Sequence, residues 1–225
     1  MPSGQIKSRQ RVSDHGEVFT PAWLVSDMCD LVADECQRLE SRFLEPACGE
    51  GAFLAEVLNR KLGAAGRKYP GRLLAPDYQR AATQALMSLY GVELLADNAR
   101  ICRERLLALW QTAFQEHCGN APDADVVQAA AFILAKNILC GDALSMTCAD
   151  KSPIIFAEWA FIGPLLVKRR DFRLDTLLAA NADAQGGQVP LGVADVDYDN
   201  TRHEYLPKPL REFPPCDYRK IWQHD

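Results

Sequence analysis

The chain has 225 residues, of which 24% are charged and 48% hydrophobic, with a net charge of −5. That is enough for one good-sized core, and the acidic balance argues against strong independent DNA affinity. No apolar run approaches the ~18 to 20 residues of a bilayer span, the polar start lacks a secretory segment, and the eight cysteines include no Cys-x-x-Cys pair. Composition therefore predicts a cytoplasmic protein with reduced thiols, no metal site and no membrane partner.

Residues 1–15 read as a basic, flexible arm carrying Lys7, Arg9 and Arg11. The string His15-Gly16-Glu17-Val18-Phe19-Thr20-Pro21 follows. Thr20 suits a helix N-cap and Pro21 the first helical position. Leu24, Met28, Leu31, Val32 and Cys36 then mark one apolar helical face. Phe43-Leu44 can finish a buried strand, and Glu45-Pro46-Ala47-Cys48-Gly49-Glu50-Gly51-Ala52-Phe53-Leu54 turns into a helix. Gly49 and Gly51 permit positive φ and close approach of a ligand. Phe53, Leu54, Val57, Leu58, Lys61 and Leu62 give that helix its inner face. A lone Gly-x-Gly reads equally as an ordinary strand–helix turn. The third glycine of a dinucleotide fingerprint and the Lys-Ser/Thr of a phosphate loop are both missing.

The full run from Glu45 to Leu54 closely resembles motif I of the adenine-N6 DNA methyltransferases, and Gly16-Glu17-Val18-Phe19-Thr20-Pro21 resembles their motif X. The two strings stand in the family's order. The resemblance implies an α/β, Rossmann-like methyltransferase fold with a doubly wound, mostly parallel sheet and helices on both faces. It implies S-adenosylmethionine as cofactor. Phe19, Thr20 and Pro21 would lie against its methionine end, and Glu45, Pro46, Ala47, Cys48, Gly49, Gly51 and Phe53 would form its loop. Cys48 reads as a small residue packed under the ligand rather than a reactive thiol.

Gly63 to Pro76 reads as an exposed loop. A helix follows, with Tyr78, Ala81, Ala82, Ala85, Leu86 and Leu89 on one face, and then a strand over 90–95. Glu93, with Leu94 beside it, is the acid expected to take a ribose's hydroxyls at the end of the second strand. It also reads as a surface acid closing a strand, since it stands roughly twice the ~20 residues from the loop that a dinucleotide fold uses. Asp97 caps the next helix, Asn120 to Asp125 is a turn, and Val126 to Leu134 is a short helix or buried run. Asn137 to Leu144 reads as a strand and loop. By resemblance it is motif III, where Asp142, beside Ala143, accepts from the cofactor's adenine amino group.

The catalytic motif of that family does not follow. Pro153 to Phe156 is the expected fourth strand, and no Asn-Pro-Pro-Tyr comes after it. Glu158 and Trp159 hold the corresponding place as an amine acceptor and a stacking platform. They read equally as a paired surface acid and a core aromatic. Lys168, Arg169 and Arg170 are a candidate phosphate contact or a solvated charge run. Leu174, Leu177 and Leu178 suggest a last short helix closing a domain over 16–178. Residues 179–225 are then a linker and a tail rich in Pro and aromatics that packs on the domain. The resemblance implies an S-adenosylmethionine-dependent, N6-adenine DNA methyltransferase-like subunit of a restriction-modification or phage-defence system, with DNA and a recognition or nuclease subunit as partners. The alternative is a catalytically degenerate, S-adenosylmethionine-binding scaffold or regulatory subunit.

Overall fold

The computed structural model describes residues 8, 10, 11, 13, 18, 20–184, 196–199 and 204–225, with the backbone alone in 180–184, 196–199 and 204–206. Phe19 and most of the basic arm lie outside the described residues. Two helices, α1 (Ala22–Asp30) and α2 (Ala33–Gln37), precede strand β1 (Phe43–Glu45). Helices α3 (Ala52–Lys68) and α4 (Ala75–Met87) connect β1 to β2 (Leu89–Glu93). Helices α5 (Ala96–Cys118) and α6 (Ala124–Asn137) connect β2 to β3 (Ile138–Cys140). These strands form a three-stranded parallel sheet in the order β1-β2-β3.

Both crossovers step the same way across the sheet, so the right-handed rule puts α3 to α6 on one face. The side chains agree. Leu89 and Ile138 share one core cluster with Leu54, Leu58, Leu106, Trp110 and Ile133 from the helices. Tyr90 and Val92 point the other way, as the period of a strand requires, and pack with Ile154, Phe156 and Leu174.

The chain after β3 does not add a fourth parallel strand. Residues 141–154 contain no helix, and a parallel neighbour needs a crossover of roughly a dozen residues, usually helical. Instead β4 (Ile155–Ile162) turns at Gly163 and pairs antiparallel with β5 (Leu166–Arg173) in a separate sheet. The fold is mixed α/β, with a small parallel sheet and a second, antiparallel one. Helix α7 (Leu174–Ala184) then runs through the start of the expected linker. Beyond it, β6 (Val196–Asp199) pairs with β7 (Glu204–Pro207), while β8 (Arg211–Glu212) and β9 (Cys216–Asp217) pair with β5. A 3-10 segment over Tyr218–Gln223 closes the chain, with Tyr218 and Ile221 in the main core.

Two local expectations change. The apolar face read from Leu24, Met28, Leu31 and Val32 is the outer one, with Leu31 86% exposed, whereas Val25 and Cys29 are buried. The segment has two apolar stripes, and packing against α3 selects the other. The expected loop from Gly63 is largely helix, because α3 continues to Lys68. A Cβ at Gly66 would stand 3.4 Å from the His117 ring of α5, so glycine lets these helices approach.

Lys61 ties the amino ends of β1 and β2 together. Its buried Nζ donates to the carbonyls of Arg38 (2.8 Å) and Ser41 (2.5 Å) and to Ser88 Oγ (2.9 Å). Burial pulls its ammonium from the ordinary 10.5 down to about 8. Between those values the unfolded chain holds a proton that the folded one has released, so this group makes stability rise with pH from about 8 to 10.5. Lys61→Met leaves the carbonyls without a partner and is expected to cost about 2 to 4 kcal/mol in urea denaturation. It should also remove the alkaline rise; an unchanged slope would assign that rise to another group.

Candidate functional site

The parallel register sets the ends of β1 and β2 beside each other, Glu45 opposite Gly91, and those of β2 and β3 likewise, Glu93 opposite Cys140. The loop after β1 is pinned at once, because Cys48 N–H donates to Val92 O at 3.0 Å and Gly51 N–H to Cys48 O at 2.7 Å. Gly49 and Gly51 have φ of 52° and 78°, in the left-handed region that favours glycine. The expected role of Gly51 needs refining. A Cβ there would meet Cys102 Sγ at 2.5 Å, so the missing side chain seats the loop on α5 rather than opening it to a ligand. Cys48 lies beneath the loop, with its Sγ 2.9 Å from where a Cβ on Gly91 would be. Its hydrogen bond with the Cys102 thiol and its burial push its pKa up, which suits packing and not nucleophilic chemistry.

Glu93 is only 8% exposed and sits inside this edge. Oε2 accepts from Gly49 N–H at 2.9 Å, and Oε1 from Leu95 N–H at 3.0 Å and Asn98 Nδ2 at 3.3 Å. Asn98 Oδ1 accepts in turn from Arg11 (3.3 Å), which also pairs with Asp97 at 2.9 Å. The Glu93 carbonyl accepts from Gly141 N–H at 2.9 Å. The glycine loop, the acid and the loop after β3 therefore form one hydrogen-bonded edge. The Asp142 carboxylate turns back on its own loop, taking Leu144 N–H and Ser145 Oγ at 2.9 Å each. Those bonds hold its pKa below the ordinary carboxylate range. Leu94 and Leu144, 55% and 93% exposed, belong to the same edge.

A cavity of about 500 Å³ opens beside the loop. That is within the ~300 to 1,000 Å³ of small-molecule sites. Val18, Thr20, Val25 and Met28 wall one side, Glu45, Ala47, Gly49 and Phe53 another, and Arg105 and Leu109 of α5 a third. Pro21 stands just outside and is itself the N-cap of α1, the place expected for Thr20. The two sequence strings read as one site thus face one space, whereas Glu93, Leu94, Asp142 and Ala143, expected to share it, are not among the residues that line it. Pro46 is exposed at the turn, and Ala143 is half-buried beside Asp142.

Glu158 and Trp159 are placed elsewhere. Trp159 is buried in the main core and donates Nε1–H to Asn137 Oδ1 at 3.0 Å, so it offers no free face for stacking. Glu158 lines a separate cavity of about 240 Å³ beyond β1 and is gripped by Arg42 and Arg170. The basic run is likewise engaged inside the fold. Lys168 pairs with Glu212 at 2.7 Å, Arg169 is buried against Asp171 and Asp225, and Arg170 holds Glu158. It is not the free phosphate-binding patch that the sequence alone admits, because cross-strand neighbours on β4 and β8 supply acids. Asn98 goes unremarked in the sequence, and Cys102 and Arg105 read there only as members of a helical register, not as site residues. Each lies on α5, where helical register gave only the apolar face.

Among the described residues, no cluster of His, Cys, Asp and Glu could hold a metal ion, and no helix is long and apolar enough to cross a membrane. No protein-family model, curated protein or solved structure matches the chain. Gly51→Ala, strained in φ and against Cys102, is expected to destabilise the fold by about 2 to 4 kcal/mol. Cys102→Ala in the same chain should recover part of that in thermal melts; no recovery would show the backbone strain to be the whole cost.

Proposed function

We propose that the chain binds S-adenosylmethionine in the cavity beside its glycine loop and is an N6-adenine DNA methyltransferase-like subunit of a DNA modification or phage-defence system. What carries this reading is one cavity walled by the glycine loop at Glu45, Ala47, Gly49 and Phe53 and by Val18, Thr20 and Met28. Gly49 N–H in that wall donates to the buried Glu93 carboxylate at 2.9 Å. The residues fit the group. A glycine loop on the cavity wall and a carboxylate at the end of the central strand suit an adenosyl ribose, as ligands of open parallel sheets are held, and Glu93 would have to exchange one of its three protein donors for the ribose. The finer form of the fold, the parallel half of a doubly wound methyltransferase sheet, belongs to the same proposal and draws on the order β1-β2-β3. When bound, the cofactor supplies an activated methyl group. Thr20 would hold its methionine end, with Phe19 and Pro21 beside it by resemblance. Glu93 would hold the ribose, and the edge of Leu94, Asp142 and Ala143 the base.

The same geometry leaves the amine-acceptor step unassigned in this chain. Glu158 is neutralised by its arginines, and Trp159 is core. Target recognition and the amine acceptor would then come from a partner chain. The second reading, a scaffold that binds the cofactor without transferring its methyl group, is favoured by those same placements.

Calorimetry with S-adenosylmethionine and S-adenosylhomocysteine tests the cofactor, and absence of binding to either rejects both readings. Glu93→Gln is expected to weaken binding by about tenfold or more, because an amide cannot accept at both of its terminal atoms. Labelled methyl transfer to DNA, first with this chain and then with neighbouring gene products added, separates subunit from scaffold. With the basic run paired internally, the chain alone should show weak DNA binding in fluorescence anisotropy. Tight binding by the isolated chain would point to a basic surface other than β5.

A further inference from the structure

The cavity beside the loop is walled by two opposite charges with few partners of their own. Glu45 is half-buried and accepts one long hydrogen bond, from Ala47 N–H at 3.4 Å. Arg105 reaches only the Glu50 carbonyl, at 3.5 Å, and forms no ion pair among the described residues. Glu56, on the same wall, is by contrast held by Arg60 at 2.8 Å. Arg105 is the one cation among the described residues lining the cavity, and Leu109, one turn further along α5, gives the wall beside it an apolar patch.

A guanidinium presents a planar fork of donors that matches a carboxylate, and a pair of charge-assisted bonds there is stronger than a single bond to a neutral carbonyl. We propose that Arg105, exposed on the cavity wall, is the receptor for the α-carboxylate of an amino-acid-bearing ligand. This rests on the cofactor reading above and adds the residue that selects for the zwitterionic tail. Arg105 is then a specificity residue for the tail, whereas Glu93 and Gly49 address the adenosyl part. The bond to the Glu50 carbonyl suggests a competing role, in which Arg105 only props the loop.

The test compares three ligands by calorimetry on the full chain. They are S-adenosylmethionine, S-adenosylhomocysteine and 5′-methylthioadenosine, the last an adenosyl thioether with no amino-acid tail. Arg105→Ala should weaken the first two by about tenfold to a hundredfold, the range for a hydrogen bond to a charged group. It should leave 5′-methylthioadenosine within about twofold of wild type, and Arg105→Lys should restore part of the loss. Equal weakening of all three ligands would assign Arg105 to loop support and overturn the proposal. So would unchanged binding of all three. If the wild-type chain binds none of them, the cofactor reading falls first, and this assignment falls with it.

Discussion

A buried carboxylate at the end of the central strand holds the carboxyl edge together. An ionised acid taken out of water costs several kcal/mol unless donors replace the lost solvent. Glu93 recovers that cost from Gly49 N–H, Leu95 N–H and Asn98. The loop after β1 therefore cannot drift from β2 without stranding a charge, and Gly141 N–H on the Glu93 carbonyl ties in the loop after β3. At the opposite end of the strands, Lys61 does the same with a cation and the carbonyls ahead of β1. One buried charge at each end sets how the short strands lie, which a sheet this small could not fix by apolar packing alone.

Charge placement also shows how the basic run and Glu158 in the second half of the chain are engaged. Arg169 is enclosed by Phe213 at 4.2 Å, Asp171 at 2.7 Å and the final Asp225 at 3.0 Å. The tail is thus fastened to the antiparallel sheet by the group that a reading of the sequence would offer to DNA. Glu158 stands between two arginines for the same reason, since β4 and β5 are paired and their opposed residues meet. Each charge in the run thus has an acid beside it: Glu212 and Glu158 from neighbouring strands, Asp171 from its own and Asp225 from the tail.

The cavity differs from both regions in leaving polar groups underused. Its walls come from the segment ahead of α1, the glycine loop and α5, which are separate in sequence. Its acid and its guanidinium are not matched to each other. Glu56 in the same wall is paired with Arg60, so the contrast with the paired charges elsewhere rests on Glu45 and Arg105.

Much of the parallel half was legible in the chain. The apolar run from Tyr90 to Val92, the glycine turn after Leu44 and the helical spacing from Phe53 to Leu62 each have a local cause, whether strand propensity, positive φ or a period of 3.6, although the strand begins at Leu89, which reads as part of the preceding helix face. Glu93 could be picked out as the acid at the end of the central parallel strand, but its partners Gly49 N–H, Leu95 N–H and Asn98 could not. Burial faces and pairing partners were not legible. Leu24 and Met28 form as good a stripe as Val25 and Cys29, and only the position of α3 chose between them. Pro153 to Phe156 is apolar enough for a parallel strand. Whether it became one depended on the connection before it and on a partner at β5, distant in sequence. Local sequence determines which conformation a segment prefers and where the glycines must go. Which side chains meet, and so which charges remain for a ligand, is a property of the assembled chain, because each pairing is settled by whichever opposite charge the fold brings nearest.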